Sequence, residues 1–336
     1  MKVHGLPNVQ FDECLSSWII RSGHYIGEQI VLRHIGLLAD PDFDLTNPGL
    51  LAFLSSLGLD GSKAIVCFRP HTSWLLPIEE RAAYCPQCLC DDIASGISPY
   101  WRKSWCYLHC PVCLTHMCAL VRSRVRLDFH KAWSVFIDEC NSENGRVTKN
   151  NVIWRQSLSP KKTVLLASRV QRFLIKAHRR PFITIDNTEV SGHEILLVAQ
   201  YLFERFLLPR RKGDSGGAAR GMERGMSVLH GYFSPDQLRI LGCSNCSIFP
   251  RLVALILIGC VFKIFPLCRF LAVRDSLGLH CLIEGGTPYE IGYSGLRIHL
   301  RKDANAALSF IGEQSSDMQS LLEPLIEGIR KARIIS

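Results

Sequence analysis

The sequence predicts a mainly α-helical, multidomain protein with an N-terminal helical module of helix-turn-helix type, a small cysteine-rich ribbon and a C-terminal helical domain. Three observations predict this fold class. The 336 residues exceed the size of one typical domain. Apolar residues recur at helical spacing in both the first and the last third of the chain. Seven of the 15 cysteines fall between residues 85 and 118.

Composition and turn residues divide the chain into five predicted segments. The division follows the cysteine-rich stretch and a polar, glycine-rich stretch that begins with Arg210-Arg211-Lys212-Gly213 and has no apolar period. We therefore expect an N-terminal helical module over residues 1–80, a ribbon over 81–128, a helical region over 129–208, an exposed linker over 209–226 and a C-terminal helical domain over 227–336.

The first predicted helix covers residues 11–24. Asp12 is a residue type that caps helix N-termini, and Leu15, Trp18 and Ile19 form an apolar face at helical spacing. We therefore expect Asp12 to be the N-cap of this helix.

Two further helices are predicted in the N-terminal module. One covers residues 28–37. The other begins near residues 46–48, where Thr46 or Asn47 is the expected N-cap and Pro48 suits the first turn. Three short helices in this part of the chain predict a small all-helical module.

Helices are also predicted over residues 164–177 and 192–208, and a pair of helices follows the linker. The first of the pair begins at Ser234, and the second runs from about Ser247 to Ile258. A short glycine-containing turn between two helices is typical of helix-turn-helix motifs, although an ordinary helical hairpin has the same pattern.

If this pair reads DNA, three residues near the start of its second helix are the candidate base or phosphate contacts: Asn245, Ser247 and Arg251. The predominantly apolar stretch that follows favours the ordinary hairpin, because a groove-reading helix needs a polar outer face. A second DNA candidate is Arg122, Arg124 and Arg126, whose alternation predicts a strand with one basic face. A solvated edge strand explains that alternation equally well.

Charge and hydropathy narrow the class of protein. The formal net charge of +9 is compatible with nucleic-acid binding. The 47% of hydrophobic residues excludes wholesale disorder. The longest apolar run, residues 252–262, is shorter than the roughly 18 residues of a membrane span. With no signal-peptide pattern at the N-terminus, we expect a soluble, cytoplasmic protein without a membrane partner.

Two ligand pairs predict a structural zinc site. Cys85 and Cys88 flank a Pro-Gln pair, and Cys113 and His116 are separated by the same two-residue gap. Tetrahedral zinc takes four such ligands, and a closed set of four leaves no position open for substrate. Cys110 forms a second Cys-Pro-x-Cys with Cys113, so a four-cysteine set is a specific alternative.

Other thiols and rings add ambiguity to this assignment. Cys106 and His109 are further candidate ligands near the second pair. Cys243 and Cys246 form a lone Cys-x-x-Cys without a second pair, which favours turn and core residues over a second zinc site.

At this point the motifs resemble those of the TniQ/TnsD family of transposon target-selection proteins. The family pattern opens with an acidic residue and a Leu-Ser-rich, Trp-containing helix that ends in Arg. Next come a Cys-Pro-x-Cys-Leu knuckle, a Tyr/Trp-Arg-x-x-Trp segment and a Cys-x-x-His hook. The matching residues here are 12–21, 85–89, 100–105 and 113–116.

The resemblance covers about residues 6–125 and selects among the ligands. Its eight-residue step from Trp105 to Cys113 favours Cys113 and His116 over Cys110. The chain departs from longer members of the family because only Cys140 follows the first cluster before the helices resume, which leaves a second zinc site in doubt.

The resemblance implies a non-enzymatic role in transposition. Such proteins bind target DNA or a CRISPR RNA-guided effector complex, and they recruit an AAA+ ATPase that licenses the transposase. The sequence does not fix the oligomeric state, and a homodimer is among the states that it allows.

Two other functions remain open alternatives. The chain has no Walker P-loop or HExxH motif and no HxE arrangement of a zinc deaminase. A zinc-containing HNH-like nuclease would need a catalytic His and Asn, for which His130 and Asn141 are available without a recognisable arrangement. A zinc-containing transcriptional regulator would use the C-terminal helices.

Overall fold

A computed structural model gives the fold. It describes residues 6–26, 40–45, 47–56, 58, 60–70, 74–124, 130–141, 147–148, 151–152, 160–209, 216–220, 237, 242–243, 246–279, 283–296 and 301–335. These residues are mainly helical, with a few short strands, as the sequence predicts.

The chain divides into two compact units. The first comprises Met1–His116 and Leu120–Ser157, and the second comprises Met117–Ala119 and Leu158–Ser336. The predicted linker over residues 209–226 therefore lies within the second unit.

The helices described in the first unit are short. They are α1 (Leu15–Ile26), α2 (Pro48–Ser56), α3 (Gly61–Phe68), α4 (Pro86–Ala94) and α5 (Lys131–Asn141). Two 3-10 turns, Ile78–Glu80 and Lys103–Cys106, accompany them.

Helix α1 begins three residues after its predicted cap. Asp12 has a positive φ of 63° and is not the N-cap. Its backbone oxygen instead accepts from the Lys103 amide at 2.6 Å, and its Oδ2 accepts from the Ser104 amide at 3.1 Å. The prediction failed because Asp12 is held by a segment about ninety residues away, which local spacing does not reveal.

Helix α2 confirms the predicted proline start. Pro48 is its first residue, and the Asn47 side chain accepts a hydrogen bond from the Leu50 amide at 3.1 Å. The predicted helix over residues 28–37 and the alternative cap Thr46 lie outside the described residues.

A single apolar cluster joins the first three helices. The Trp18 and Phe68 rings lie 5.7 Å apart between centroids and tie α1 to α3. The buried members of the cluster are Leu15, Trp18, Ile19, Leu45, Leu50, Phe53, Leu54, Ala64 and Phe68.

The strands among the described residues are very short and pair in twos. The pairs are β1 (Ala83–Tyr84) with β4 (Val121–Arg122), β2 (Val112–Cys113) with β3 (Cys118–Ala119), β5 (Val147–Thr148) with β6 (Asn151–Val152), and β7 (Phe182–Ile185) with β8 (Thr188–Ser191). An isolated pair of two-residue strands is unstable in water, so other contacts must hold such pairs in place.

The helices described in the second unit include both the longest of the described helices and shorter ones. They are α6 (Lys161–Arg179), α7 (Gly192–Phe206), α8 (Ile248–Val261), α9 (Leu267–Arg274), α10 (Pro288–Glu290, continued by a π-helical turn over Ile291–Gly295), α11 (Arg301–Gly312) and α12 (Ser316–Ile335). The sequence located α6 and α7 to within three residues at each end and began α8 near its observed start. The predicted helix start at Ser234 lies outside the described residues.

Helix α8 forms the centre of this unit. Every residue from Pro250 to Val261 is buried. At Gly259, a Cβ would lie 2.6 Å from the Val170 Cγ2 on α6, so glycine allows the two helices to approach closely.

Residues 216–220 do not form the exposed linker that the sequence predicts. Ala218 and Ala219 are fully buried, and the Gly217 amide donates to the Leu208 carbonyl at 2.9 Å. A Cβ on Gly217 would lie 2.3 Å from the Arg205 carbonyl oxygen. Glycine here serves close packing and not flexibility, and composition cannot separate the two.

Among the described residues, no single helix has the length and apolarity that a membrane span needs. Only α2 and α3 taken together, bent by 111°, satisfy those two criteria.

Candidate metal centre

The first ligand pair lies at the start of helix α4. Cys85 precedes the helix as its N-cap residue, Pro86 occupies the first turn, and Cys88 lies within that turn. Proline fits there because its fixed φ suits a helix and its missing N–H is not needed. Both thiols therefore lie at the positive end of a helix dipole, which favours thiolates.

The second pair comes from the hairpin of β2 and β3. Cys113 ends β2, and His116 lies in the turn that precedes β3. Met117, next to His116, has a positive φ of 50°, which marks the sharp reversal of the chain at this turn. The hairpin thus presents a thiol and an imidazole from one tight loop.

The structure brings these four side chains together. Their ligand atoms all lie within 4.8 Å of one another, and the three cysteines are buried. The His116 Nδ1 is 3.5 Å from the Cys85 Sγ, 3.3 Å from the Cys88 Sγ and 3.6 Å from the Cys113 Sγ. The Cys88 and Cys113 sulfurs are 3.6 Å apart.

These separations fit one tetrahedral ion. With metal–sulfur bonds near 2.3 Å and metal–nitrogen bonds near 2.0 Å, the edges of a tetrahedron are about 3.5 to 3.8 Å long. The four measured separations, 3.3 to 3.6 Å, fall close to that range. The cluster can therefore hold a metal ion with four protein ligands.

A carboxylate orients the histidine. The His116 Nε2 is 2.8 Å from the Asp91 Oδ2, and Asp91 lies on α4 one turn beyond Cys88. When a carboxylate holds Nε2–H, the other ring nitrogen is free to donate its lone pair to a metal. Helix α4 thus supplies two ligands and also the group that fixes the tautomer of a third.

The electrostatics of the cluster call for a cation. The neighbouring sulfurs of Cys113 and Cys85, together with burial, raise the pKa of the Cys88 thiol well above its ordinary value. Three buried thiolates would repel one another, and a bound cation relieves this repulsion while it deprotonates the thiols.

The rival ligands lie elsewhere. Cys110 is buried but is not a member of the cluster. The Cys106 sulfur lies 3.7 Å from the Cys14 sulfur in a different group. The His109 ring packs edge-on against Trp74, with centroids 4.7 Å apart. Cys246 donates to the Cys243 carbonyl at 3.4 Å within a local turn.

An ion pair anchors helix α4, which carries Cys88. Arg102 donates to the Asp92 carboxylate of α4 at 2.7 Å, and its guanidinium lies 4.2 Å from the centre of the Tyr100 ring and 5.0 Å from that of Trp105. The segment from Tyr100 to Trp105 is therefore packed directly against the helix that carries Cys88.

The same segment is joined to α1. The Cys14 amide donates to the Trp101 carbonyl at 2.9 Å, and the Trp101 amide donates to the Ser17 hydroxyl at 2.8 Å. Within the α1 segment, Arg21 forms a buried ion pair with Glu13 at 2.7 Å. Two stretches about eighty residues apart in sequence are thus one packed structure.

A second buried group escaped the sequence analysis. The side chains of Cys14, Asp42 and Cys106 lie within 4.8 Å of one another. Lys131 donates to both oxygens of Asp42 at 2.7 and 2.8 Å, and Arg81 lies 3.4 Å from one of them. Two cations already neutralise this carboxylate, so the group forms an ion network. No local spacing in the sequence links these residues.

The predicted DNA contacts fare differently from the metal ligands. Arg251 is only 2% exposed, so it cannot reach a base or a phosphate, and α8 is not a groove-reading helix. The apolar composition of α8 already indicated in the sequence that this helix does not read a DNA groove. Ser247 is the N-cap residue of α8, and Asn245 lies outside the described residues.

The predicted basic strand is also shorter than expected. Strand β4 ends at Arg122, whose guanidinium pairs with Glu80 at 2.8 Å. Arg124 is exposed beyond the strand, and Arg126 lies outside the described residues. A three-arginine face is therefore not formed by this strand.

Comparisons with known proteins return no match: no family model, no curated protein and no solved structure resembles the chain significantly.

Proposed function

We propose that this chain is a zinc-stabilised, non-catalytic adaptor that selects target sites for transposition. In this role it binds target DNA or an RNA-guided effector complex and recruits the AAA+ ATPase of the transposition machinery. The proposal rests on the resemblance to the TniQ/TnsD family and on one structural observation, which is the packing of the motif segments against one another.

That packing supports the resemblance because the motifs are separate in the sequence. Residues 12–21 and residues 100–105 share backbone hydrogen bonds, and Arg102 of the second segment holds the helix of the Cys85–Cys88 knuckle. The segments that match the family pattern thus pack around the helix that carries part of the candidate metal cluster, as the resemblance requires.

Zinc is the metal that this donor set favours. Three thiolates and one imidazole are soft ligands, and a closed tetrahedral set of this kind is typical of structural zinc sites. Because all four positions are filled by protein, such an ion holds the fold and leaves no position for a reacting water.

The nuclease alternative receives less support. His130 precedes helix α5 and Asn141 ends it. Eleven residues of helix separate them by about 16 Å, which is too far for the two side chains to share one catalytic site.

The proposal is tested by targeted insertion in cells that carry the transposition genes. Deletion of this gene should abolish insertion at the preferred target, and the wild-type gene should restore it. Cys88→Ser should fail to restore it because the ion loses a ligand, whereas Cys90→Ser, on the same helix but outside the cluster, should succeed.

Insertion at the preferred target without this gene would contradict the proposal. So would metal-dependent cleavage of DNA by the purified protein, since cleavage is the outcome that the nuclease alternative predicts.

A further inference from the structure

Helix α6 and the residue that follows it are rich in basic residues and contain no acidic ones. Residues 161–180 contain seven Lys or Arg residues and no Asp or Glu, in a chain whose whole net charge is +9. Most of the basic excess of the protein is therefore concentrated in twenty residues.

The charges of α6 lie along one side of the helix. At 100° per residue, six of them project within an arc of about 100°. All six are exposed, and we call them the basic face: Lys161, Lys162, Arg169, Arg172, Lys176 and Arg179. Arg180, which caps the helix C-terminus, continues the same side.

The opposite side of α6 is fixed in the core. Val164, Leu166, Val170 and Leu174 are buried, and Phe173 packs against Phe262 with ring centroids 5.9 Å apart. The helix is therefore held in place, and its basic face points steadily to the solvent.

Among the described residues, no carboxylate balances the charge of the basic face. None of its six residues forms an ion pair with a carboxylate of the described residues, whereas the exposed Lys263 and Arg330 pair with Asp186 and Glu323 at 2.7 and 3.0 Å. Six like charges on neighbouring turns repel one another, which costs stability. An anionic partner would remove that cost.

We propose that the basic face of α6 binds the phosphate backbone of double-stranded nucleic acid. This inference deepens the proposed function, and rests on it for its biological role, because it gives the surface that meets the nucleic acid. From Lys162 to Arg179 the face extends about 26 Å, which matches about seven or eight base pairs of duplex. Contacts of this kind position a protein without reading sequence.

Other anionic partners fit the face less well. A membrane-bound helix inserts an apolar side, and the apolar side of α6 is buried in the protein. A protein interface is built on several apolar anchors. Leu165 is the only large apolar residue of α6 that is exposed, so this helix offers too few anchors for a protein partner. Binding of single-stranded nucleic acid needs aromatic rings on which the bases stack, and no aromatic side chain of α6 projects within the arc of the basic face.

The test measures how the full chain binds duplexes. Fluorescence anisotropy of short labelled DNA and RNA duplexes monitors this binding over a range of salt concentrations. For about six phosphate contacts, the logarithm of affinity should fall with the logarithm of salt with a slope of about −5. The triple variant Arg169→Gln/Arg172→Gln/Lys176→Gln should bind about tenfold or more weakly, with a slope shallower by about 3.

A matched triple variant controls for net charge. Lys63→Gln/Arg69→Gln/Arg269→Gln also removes two arginines and one lysine, but from exposed positions outside α6. This variant should bind the duplexes like wild type. Equal losses in both triple variants, or no salt-dependent duplex binding by the wild type, would overturn the proposal. Binding of the wild type to vesicles of anionic lipid or to a polyglutamate chain, but not to either duplex, would overturn it as well.

Recruitment of the ATPase separates this proposal from the proposed function. If the α6 triple variant loses duplex binding but still captures the AAA+ ATPase, the surface is assigned as proposed. If the wild type captures the ATPase but binds no duplex, only the α6 proposal fails. If duplex binding depends on α6 but targeted insertion proceeds without the gene, the proposed function fails and the surface stands.

Discussion

The segment from residue 83 to 122 and helix α8 differ in what their interiors contain. The segment has two-residue strands, a short helix and a 3-10 turn, and it combines buried aromatic side chains, including Tyr84, Trp101 and Trp105, with a cluster of three thiols and an imidazole. Helix α8 is buried over twelve consecutive residues, nearly all apolar. We propose that a bound metal ion stabilises the first region in addition to hydrophobic burial, whereas the second region depends on hydrophobic burial alone. The two should therefore respond to different perturbations.

Loss of a metal ligand should have the largest effect, and the effect should be confined to the segment from residue 83 to 122. Cys88→Ser removes one ligand, and apparent binding energies of structural zinc are about 10–16 kcal/mol in small peptides. We expect amide hydrogens of residues 83–122 to lose their protection from exchange, while α8 keeps its own. Hydrogen-exchange mass spectrometry measures both regions in one experiment.

Cys90→Ser is the matched control for that variant. It lies two residues further along α4 and outside the ligand cluster. Unchanged protection of residues 83–122 in Cys88→Ser would show that the metal does not hold this region.

The buried ion network should give the next largest effect. Asp42→Asn leaves the Lys131 ammonium buried without its carboxylate, and breaking a buried pair from one side costs about 3–5 kcal/mol. Chemical denaturation of the first unit at neutral pH measures this loss. A loss below about 1 kcal/mol would mean that water or another group already satisfies Lys131.

The same variant has a predicted pH dependence. Burial would raise the pKa of Asp42, but Lys131 and Arg81 hold it below its ordinary value. The stability that the Asp42 charge contributes is therefore present above the unfolded pKa of about 4 and is lost as the pH falls through the folded pKa. The stability difference between wild type and Asp42→Asn should shrink below about pH 4, and a constant difference would contradict this account.

A cavity in helix α8 should destabilise the second unit and leave the segment from residue 83 to 122 unaffected. Leu257 is fully buried in α8, and truncation of such a leucine to alanine costs about 2–5 kcal/mol. Leu257→Ala should lower the stability of the second unit and leave the metal content unchanged. Loss of metal in this variant would break the distinction between the two regions.

The smallest predicted effect concerns a helix cap. The Thr287 hydroxyl accepts from the Glu290 amide, and the Glu290 carboxylate accepts from the Thr287 amide, which together form a capping box. Thr287→Ala should cost about 1 kcal/mol, and Thr287→Ser should cost little because serine keeps the hydroxyl. Thermal denaturation of the two variants side by side measures the difference.

Sequence reasoning succeeded where local chemistry determines the structure. Pro48 with its Asn47 cap and the apolar period of α6 and α7 are readable because the determining residues are neighbours in the chain. The four members of the Cys85–His116 cluster were identified in the same way, since each pair is a local motif, and the selection between Cys110 and His116 came from the family spacing.

Sequence reasoning failed where distant contacts determine the structure. Asp12 is a good cap by residue type, yet Lys103 and Ser104 hold it in another conformation. The group of Cys14, Asp42 and Cys106 draws on three segments, and the burial of Gly217 depends on the close approach of α7. Composition assigns such a glycine to a linker because it cannot see what lies beside it.

The most direct test of the central claim is X-ray absorption at the zinc edge of protein purified without chelators. We predict one zinc per chain with three sulfur ligands near 2.3 Å and one nitrogen near 2.0 Å, and Cys110→Ser should leave that spectrum unchanged. Absence of zinc, or a shell of four sulfurs that Cys110→Ser disrupts, would contradict it.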